Sequence, residues 1–192
     1  MKNVKRLAVY CGSAPGSRPE FADATRATAA AMISRGVDLV YGGGRLGLMG
    51  LIADSVLAGG GHVFGVIPKA LVNLEVAHEG VTELHTVETM HERKAKMTDL
   101  ADAFLALPGG IGTLDELFEA WSWNALGYHA KPFCLLNVAG FWDPMIQFID
   151  HATASGFMSP ARRAQLLVAG GTGEAIDVLD AALSCAEKKM VW

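Results

Sequence analysis

Short apolar runs recur along the chain, and each gives way to glycines and then to residues patterned at helical spacing. Leu7–Cys11 (LAVYC) predicts a strand and runs into GSAPGS. Pro19–Arg35 then predicts a helix, with Ser17 or Arg18 near its cap, Pro19 in its first turn and Gly36 beyond its end. Val37–Tyr41 (VDLVY) predicts a second strand, followed by GGGRLGLMG and a helix ending at Gly59–Gly61. Further strands are expected over His62–Ile67, Val81–Val87, Ala103–Leu107, Pro132–Asn137 and Leu166–Val168. A helix over about Glu88–Leu100, another after PGGIGT, and helical stretches behind the last two strands complete the pattern. The strand runs lack polar alternation, as strands buried on both faces of a parallel sheet do. Alternating strands and helices with right-handed crossovers predict an α/β fold: a doubly wound, mostly parallel sheet in three αβα layers. With 192 residues and no linker, repeat or low-complexity segment, one domain over 1–192 is expected.

Composition narrows the function classes. Charged residues make up 19% of the chain and hydrophobic ones 51%, and a net charge of −4 argues against nucleic acid as a partner. The basic N-terminus (Lys2, Lys5, Arg6) precedes an apolar run that stops at Gly12, short of the roughly 7–15 apolar residues of a secretion signal. No run approaches the roughly 18 apolar residues of a spanning helix, so a cytoplasmic protein without a membrane partner is expected. Cys11, Cys134 and Cys185, odd in number and far apart, do not form a disulfide framework. The six histidines show neither H-x-x-x-H nor a pairing with cysteine, so no metal site is expected. No G-x-S-x-G elbow is present.

Glycine is in excess, with 22 where a usage of about 7% would give roughly 13. The excess is clustered. Three predicted strands end in glycine-rich turns that open helices: Gly12-Ser13-Ala14-Pro15-Gly16, Gly42-Gly43-Gly44-Arg45-Leu46-Gly47 and Gly109-Gly110-Ile111-Gly112-Thr113. Ligands of such sheets bind beyond the carboxyl ends of the strands, where turns lacking Cβ let an anion approach backbone N–H groups. One such turn is weak evidence, but three at one edge favour a phosphorylated ligand. The second matches G-x-G-x-x-G, yet the next strand ends Gly65-Val66-Ile67-Pro68 without the carboxylate that a dinucleotide's ribose requires. No Gly-Lys-Ser/Thr follows any of the turns, so a mononucleotide or sugar phosphate fits better than NAD or ATP.

On the Glu88–Leu100 helix, Met90, Arg93, Lys94, Met97 and Leu100 share one stripe, which places two cations at positions that the periodicity assigns to the core. Lys94 fits snorkelling at the stripe's edge; Arg93 beside it fits recognition of a phosphate or carboxylate. Thr113-Leu114-Asp115-Glu116 reads first as a T-x-x-E capping box. It also puts Glu116 near a helix N-terminus behind a phosphate-type turn, where a carboxylate can stabilise positive charge on a sugar or orient a water. Leu114, Leu117, Phe118 and Trp121 form that helix's apolar stripe, and Trp123 on the opposite side is expected to be exposed and to mark a homodimer contact.

The segments Tyr41–Gly50 (YGGGRLGLMG), Met90–Lys94 (MHERK) and Pro108–Glu116 (PGGIGTLDE) resemble the Lonely Guy (LOG) family of cytokinin riboside 5′-monophosphate phosphoribohydrolases, a likeness running from about residue 5 to 157. The resemblance implies a Rossmann-like homodimer. It would cleave the N-glycosidic bond of N6-modified AMP or of AMP, releasing free base and ribose 5-phosphate without metal or redox cofactor. By position, it implies that Arg93 and Glu116 are catalytic and that Gly109–Thr113 is the phosphate-binding turn. Glu75, Arg93, Lys94, Gly110, Ile111, Gly112, Thr113, Leu114, Asp115, Glu116 and Ser122 fall at its substrate-contacting positions, and Ser13, Gly43, Met90 and Gly109 complete the candidate binding set. Ser122 stands where plant members usually carry threonine, while Arg45 and Ile111 occupy positions that vary in the family. In that chemistry Glu116 would stabilise an oxocarbenium-like state or act as general base, and Arg93 would orient Glu116 or the ribose phosphate. Proteins of this pattern also carry the label lysine decarboxylase, but no segment proposes the Schiff-base lysine and pyridinium partner of a pyridoxal-phosphate enzyme. The rival from another class is a non-catalytic nucleotide or cofactor carrier on the same fold.

Overall fold

In the computed structural model, which describes residues 3–72, 74 and 76–189 (side chains of 186–189 excepted), the apolar runs form seven strands. They are β1 (Arg6–Tyr10), β2 (Asp38–Tyr41), β3 (Val63–Pro68), β4 (Glu83–Val87), β5 (Ala103–Ala106), β6 (Phe133–Leu136) and β7 (Leu166–Ala169). Between and after them lie α1 (Pro19–Ser34), α2 (Gly47–Ala58), α3 (Met90–Leu100), α4 (Ile111–Ala125), α5 (Asp143–Ala154), α6 (Pro160–Arg163) and α7 (Thr172–Lys189). Every strand pair is parallel, in the order β4-β3-β2-β1-β5-β6-β7. The chain therefore winds outward from β1 to the β4 edge and returns to β5 on the other side. The switch point falls between β1 and β5, where such sheets open a crevice.

Alternation along β1 sorts its side chains into two layers. Leu7 and Val9 join the cluster under α1, α2 and α7, while Ala8 and Tyr10 join the one under α3, α4 and α5. Phe104 and Phe133 are fully buried on the second face, and each such side chain contributes about 1.5–3 kcal/mol. The two edge strands, β4 and β7, depart from the buried pattern, β4 along its length and β7 at Leu167 and Val168. No helix among the described residues is long and apolar enough to cross a membrane.

Two expectations are corrected. The T-x-x-E capping box forms at Thr89–Glu92, not at Thr113–Glu116: Thr89 Oγ1 accepts from Glu92 N at 3.1 Å, and Glu92 Oε2 accepts from Glu88 N at 2.9 Å. Helix α4 instead starts two residues before Thr113, with Gly110 as its N-cap and no side-chain cap. The glycine-rich turn closes early because Gly110 O already accepts from Leu114 N at 3.1 Å. The second correction concerns the surface of α4. Trp123 is half-buried, whereas Phe118, assigned to the buried stripe, is 40% exposed.

Candidate active site

Backbone contacts knit together the turns after β1 and β5. Gly12 N donates to Pro108 O at 3.1 Å, and Gly12 O accepts from Leu48 N, in the first turn of α2, at 3.0 Å. Above them opens a cavity of about 300 Å³, walled by the Cys11–Ser13 turn, Met49, Leu71, Met90, Arg93, Gly110–Thr113, Asp115 and Glu116. The glycines here serve two different needs. A Cβ on Gly109 would lie 2.1 Å from Thr113 Oγ1, and one on Gly42 would lie 1.9 Å from Arg93 Nη2, so both are required by the protein's own packing. Neither need applies at Gly110 and Gly112. A Cβ on either would enter open space, and neither has a positive φ. Both stand open at a helix start whose first N–H groups have no intrahelical partner, which leaves room for an anion to approach them.

Arg93 is 3% exposed, deep enough that its charge needs fixed acceptors. The first turn of α3 aims it at the ends of β2 and β3: Nη2 donates to Gly42 O at 2.6 Å and Nε to Val66 O at 3.1 Å. The guanidinium is thereby locked in the cavity wall. Lys94 points to α4 instead, with Nζ 3.0 Å from Asp115 Oδ2 and 2.8 Å from Glu119 Oε2. The second contact is an ion pair without hydrogen-bond geometry, so Glu119 Oε2 remains without a directed donor. Burial works against the Lys94 charge, but the two carboxylates outweigh it and raise the pKa. Glu116 lies in the second turn of α4 on the cavity wall. Burial, reinforced by the charge of Glu116, holds the Tyr10 phenol and the Cys11 thiol well above their ordinary ranges. Cys11 lines the cavity as a neutral thiol and is no nucleophile.

A family model described as possible lysine decarboxylase matches residues 49–179. The chain is 48% identical over 188 residues to the cytokinin riboside 5′-monophosphate phosphoribohydrolase LOG of Oryza sativa subsp. japonica, covering 98% of this chain and 78% of the relative. It is 45% identical over 191 residues to the Arabidopsis thaliana relative of the same description, LOG2, covering 98% and 90%. The chain belongs to the LOG family. Its fold also resembles the molybdenum cofactor carrier protein of Chlamydomonas reinhardtii, with a TM-score of 0.69 over 95% of this chain and 99% of that one. At 17% identity, that likeness is one of fold alone.

Of the residues that the LOG motifs single out, Ser13, Met90, Arg93, Gly110, Ile111, Gly112, Thr113, Asp115 and Glu116 meet around the one cavity. Gly43, Lys94, Gly109 and Leu114 lie outside its wall, and Glu75 lies outside the described residues. Ser122 sits in a different, open groove of about 310 Å³ with Phe118, Trp121 and Phe157. Cys11, Met49 and Leu71 line the LOG cavity without having been singled out, and Glu119 holds Lys94. Glu119 was findable: it follows Asp115 by four and Glu116 by three, on one helical face. Met49 and Leu71 have no chemical signature to find.

Proposed function

We propose that this LOG-family chain hydrolyses the N-glycosidic bond of a purine nucleoside 5′-monophosphate, either AMP or its N6-modified cytokinin counterpart, releasing the base and ribose 5-phosphate. The observation that carries the reading is the open glycine cradle at the start of α4, set in one cavity with Arg93 and Glu116. Backbone amides of Ile111, Gly112 and Thr113 bind the 5′-phosphate at the helix's positive end. Glu116 lies four residues beyond Gly112, about 6 Å along the axis at 1.5 Å per residue, comparable to the span of a ribose. Its carboxylate stabilises the oxocarbenium-like state and takes a proton from the attacking water. Arg93, fixed by main-chain carbonyls, orients Glu116 and the sugar. Phosphate held far from the reacting carbon supplies binding energy for that orientation.

A decarboxylase acting through pyridoxal phosphate does not fit these residues. Its lysine must shed a proton to form a Schiff base, but Lys94 is held charged by Asp115 and Glu119. A carrier on the same fold would bind the nucleotide without turnover, and the anchored Arg93 opposite Glu116 speaks against that. The deciding assay measures free base released from AMP and from N6-isopentenyl-AMP by the wild type and by Gly112→Ala. The wild type should turn over at least one of them. Gly112→Ala should raise KM about 10–100-fold, the equivalent of one charge-assisted hydrogen bond of about 1.5–3 kcal/mol. Stability should move the other way, rising by up to about 1 kcal/mol because alanine suits a helix better than glycine. Unchanged KM would remove the cradle, and binding without release would favour the carrier.

The same reading makes the protein a homodimer in a reducing cytoplasm, a setting in which Cys11, Cys134 and Cys185 stay unpaired. The groove of Phe118, Trp121, Ser122 and Phe157 supports the dimer: Phe157 is 90% exposed, and Ser122 needs a second copy to stand near a substrate. Sedimentation equilibrium at micromolar concentration should return a dimer for the wild type and a weakened one for Phe157→Asp. A wild-type monomer would refute it.

A further inference from the structure

The carbonyl that anchors Arg93 belongs to Gly42, and the turn carrying it is held from behind by a second layer of contacts. One residue on, Gly43 O accepts from His78 N at 2.9 Å. Gly44 pairs with Ala77 in an isolated antiparallel bridge, and Arg45 N donates to Val76 O at 2.9 Å. Residues 76–78 thus lie as a strap along the Gly42–Arg45 turn. The strap is strained: Val76, a β-branched residue, sits at φ +50° in the left-handed region. Such a conformation persists only where its surroundings over-determine it, and those sites concentrate where function needs fixed geometry.

The His78 side chain supplies the restraint. It is buried, with Nε2 2.9 Å from Asp54 Oδ1 on α2, and its Nδ1 accepts from Gly80 N at 3.3 Å. Since Nδ1 accepts, Nε2 carries the hydrogen and donates it to Asp54. A continuous chain of contacts then runs from Asp54 through His78 and Gly43 to the Gly42 carbonyl and on to the Arg93 guanidinium.

We propose that His78 and Asp54 are positioning residues for the hydrolysis, holding the Gly42 carbonyl, and through it Arg93, in register with Glu116. The inference rests on the role given to Arg93 above. A guanidinium is a rigid planar fork, so displacing one acceptor rotates the whole group, and a misplacement of about 1 Å can cost about 10²-fold in rate. Neither residue lines the cavity, so their effect reaches the substrate indirectly, through the turn and Arg93.

A double-mutant cycle on base release from AMP tests this. The Asp54 side chain is 57% exposed on α2, so truncating it leaves the core intact. Asp54→Ala should lower kcat about tenfold with KM within about twofold, and Asp54→Asn, which keeps an acceptor for His78, should recover most of the loss. In an Arg93→Lys background, where the fork is already gone, Asp54→Ala should cost no more than about twofold further, the non-additivity of residues acting as one unit. Wild-type kcat in Asp54→Ala, or an equal fold-loss in both backgrounds, would overturn the proposal and leave the pair as a loop anchor. If Arg93→Lys itself keeps full kcat, the role of Arg93 fails and the relay fails with it. An impaired Arg93→Lys beside a fully active Asp54→Ala sinks the relay alone.

Discussion

Glu116→Gln is expected to lower kcat for base release by about 10²-fold or more, while affinity for AMP and the melting temperature stay close to wild type. The amide keeps the size of the side chain and removes only its charge and basicity, and loss of a positioned acid–base group costs about 10²–10⁴-fold. If Glu116 were a capping residue, the substitution would instead cost stability, about 1 kcal/mol as cap losses do. The structure removes that alternative: α4 is capped by Gly110, and Glu116 belongs to its second turn. Ground-state binding should survive because the phosphate is held by main-chain amides that the substitution does not touch. The lysine beside it keeps both of its carboxylates, Asp115 and Glu119. Steady-state kinetics with calorimetric melting separate the cases, and near wild-type kcat would take Glu116 out of the chemistry.

The sequence carries much of this arrangement. Strands β1, β2, β5 and β6 are buried on both faces and short, so unbroken apolar runs mark them, and the glycines behind three of them mark the turns at the binding edge. What it does not carry is strand order. Only once β5 lies beside β1 do the turns at Gly12 and Gly109 share a cavity, while the turn after β2 becomes the anchor for Arg93. Helical period assigns Arg93 to the core, but its acceptors are main-chain carbonyls 51 and 27 residues away, and carbonyls leave no mark in a sequence. The misplaced capping box has a similar origin. Two T-x-x-E matches exist, at Thr89 and Thr113, and the glycine turn before the second starts the helix before its threonine can cap it. Phe118 is exposed and Trp123 half-buried because the inward face of α4 runs through Thr113, Leu117, Ala120 and Trp121, a stripe turned slightly from the one that the apolar residues alone suggest.

Arg93→Ala is expected both to destabilise the fold and to slow turnover, and the two effects have separable causes. Truncation strands the buried Gly42 and Val66 carbonyls that the guanidinium satisfies. Each orphaned group costs about 1–3 kcal/mol, offset in part because alanine no longer buries a charge, for a net of about 2–4 kcal/mol. For a chain of this size, at about 2–4 °C per kcal/mol, the melting temperature should fall by roughly 5–15 °C. Arg93→Lys keeps the charge and most of the volume, but one ammonium cannot reproduce the planar fork between two strand ends, so it should recover stability better than activity. Both variants should therefore lose about 10²-fold in kcat while differing in melting temperature. A pair whose kcat tracked stability, or an Arg93→Ala that melted early yet kept its rate below the transition, would make Arg93 a strut between β2, β3 and α3 and leave catalysis to Glu116 and the phosphate cradle.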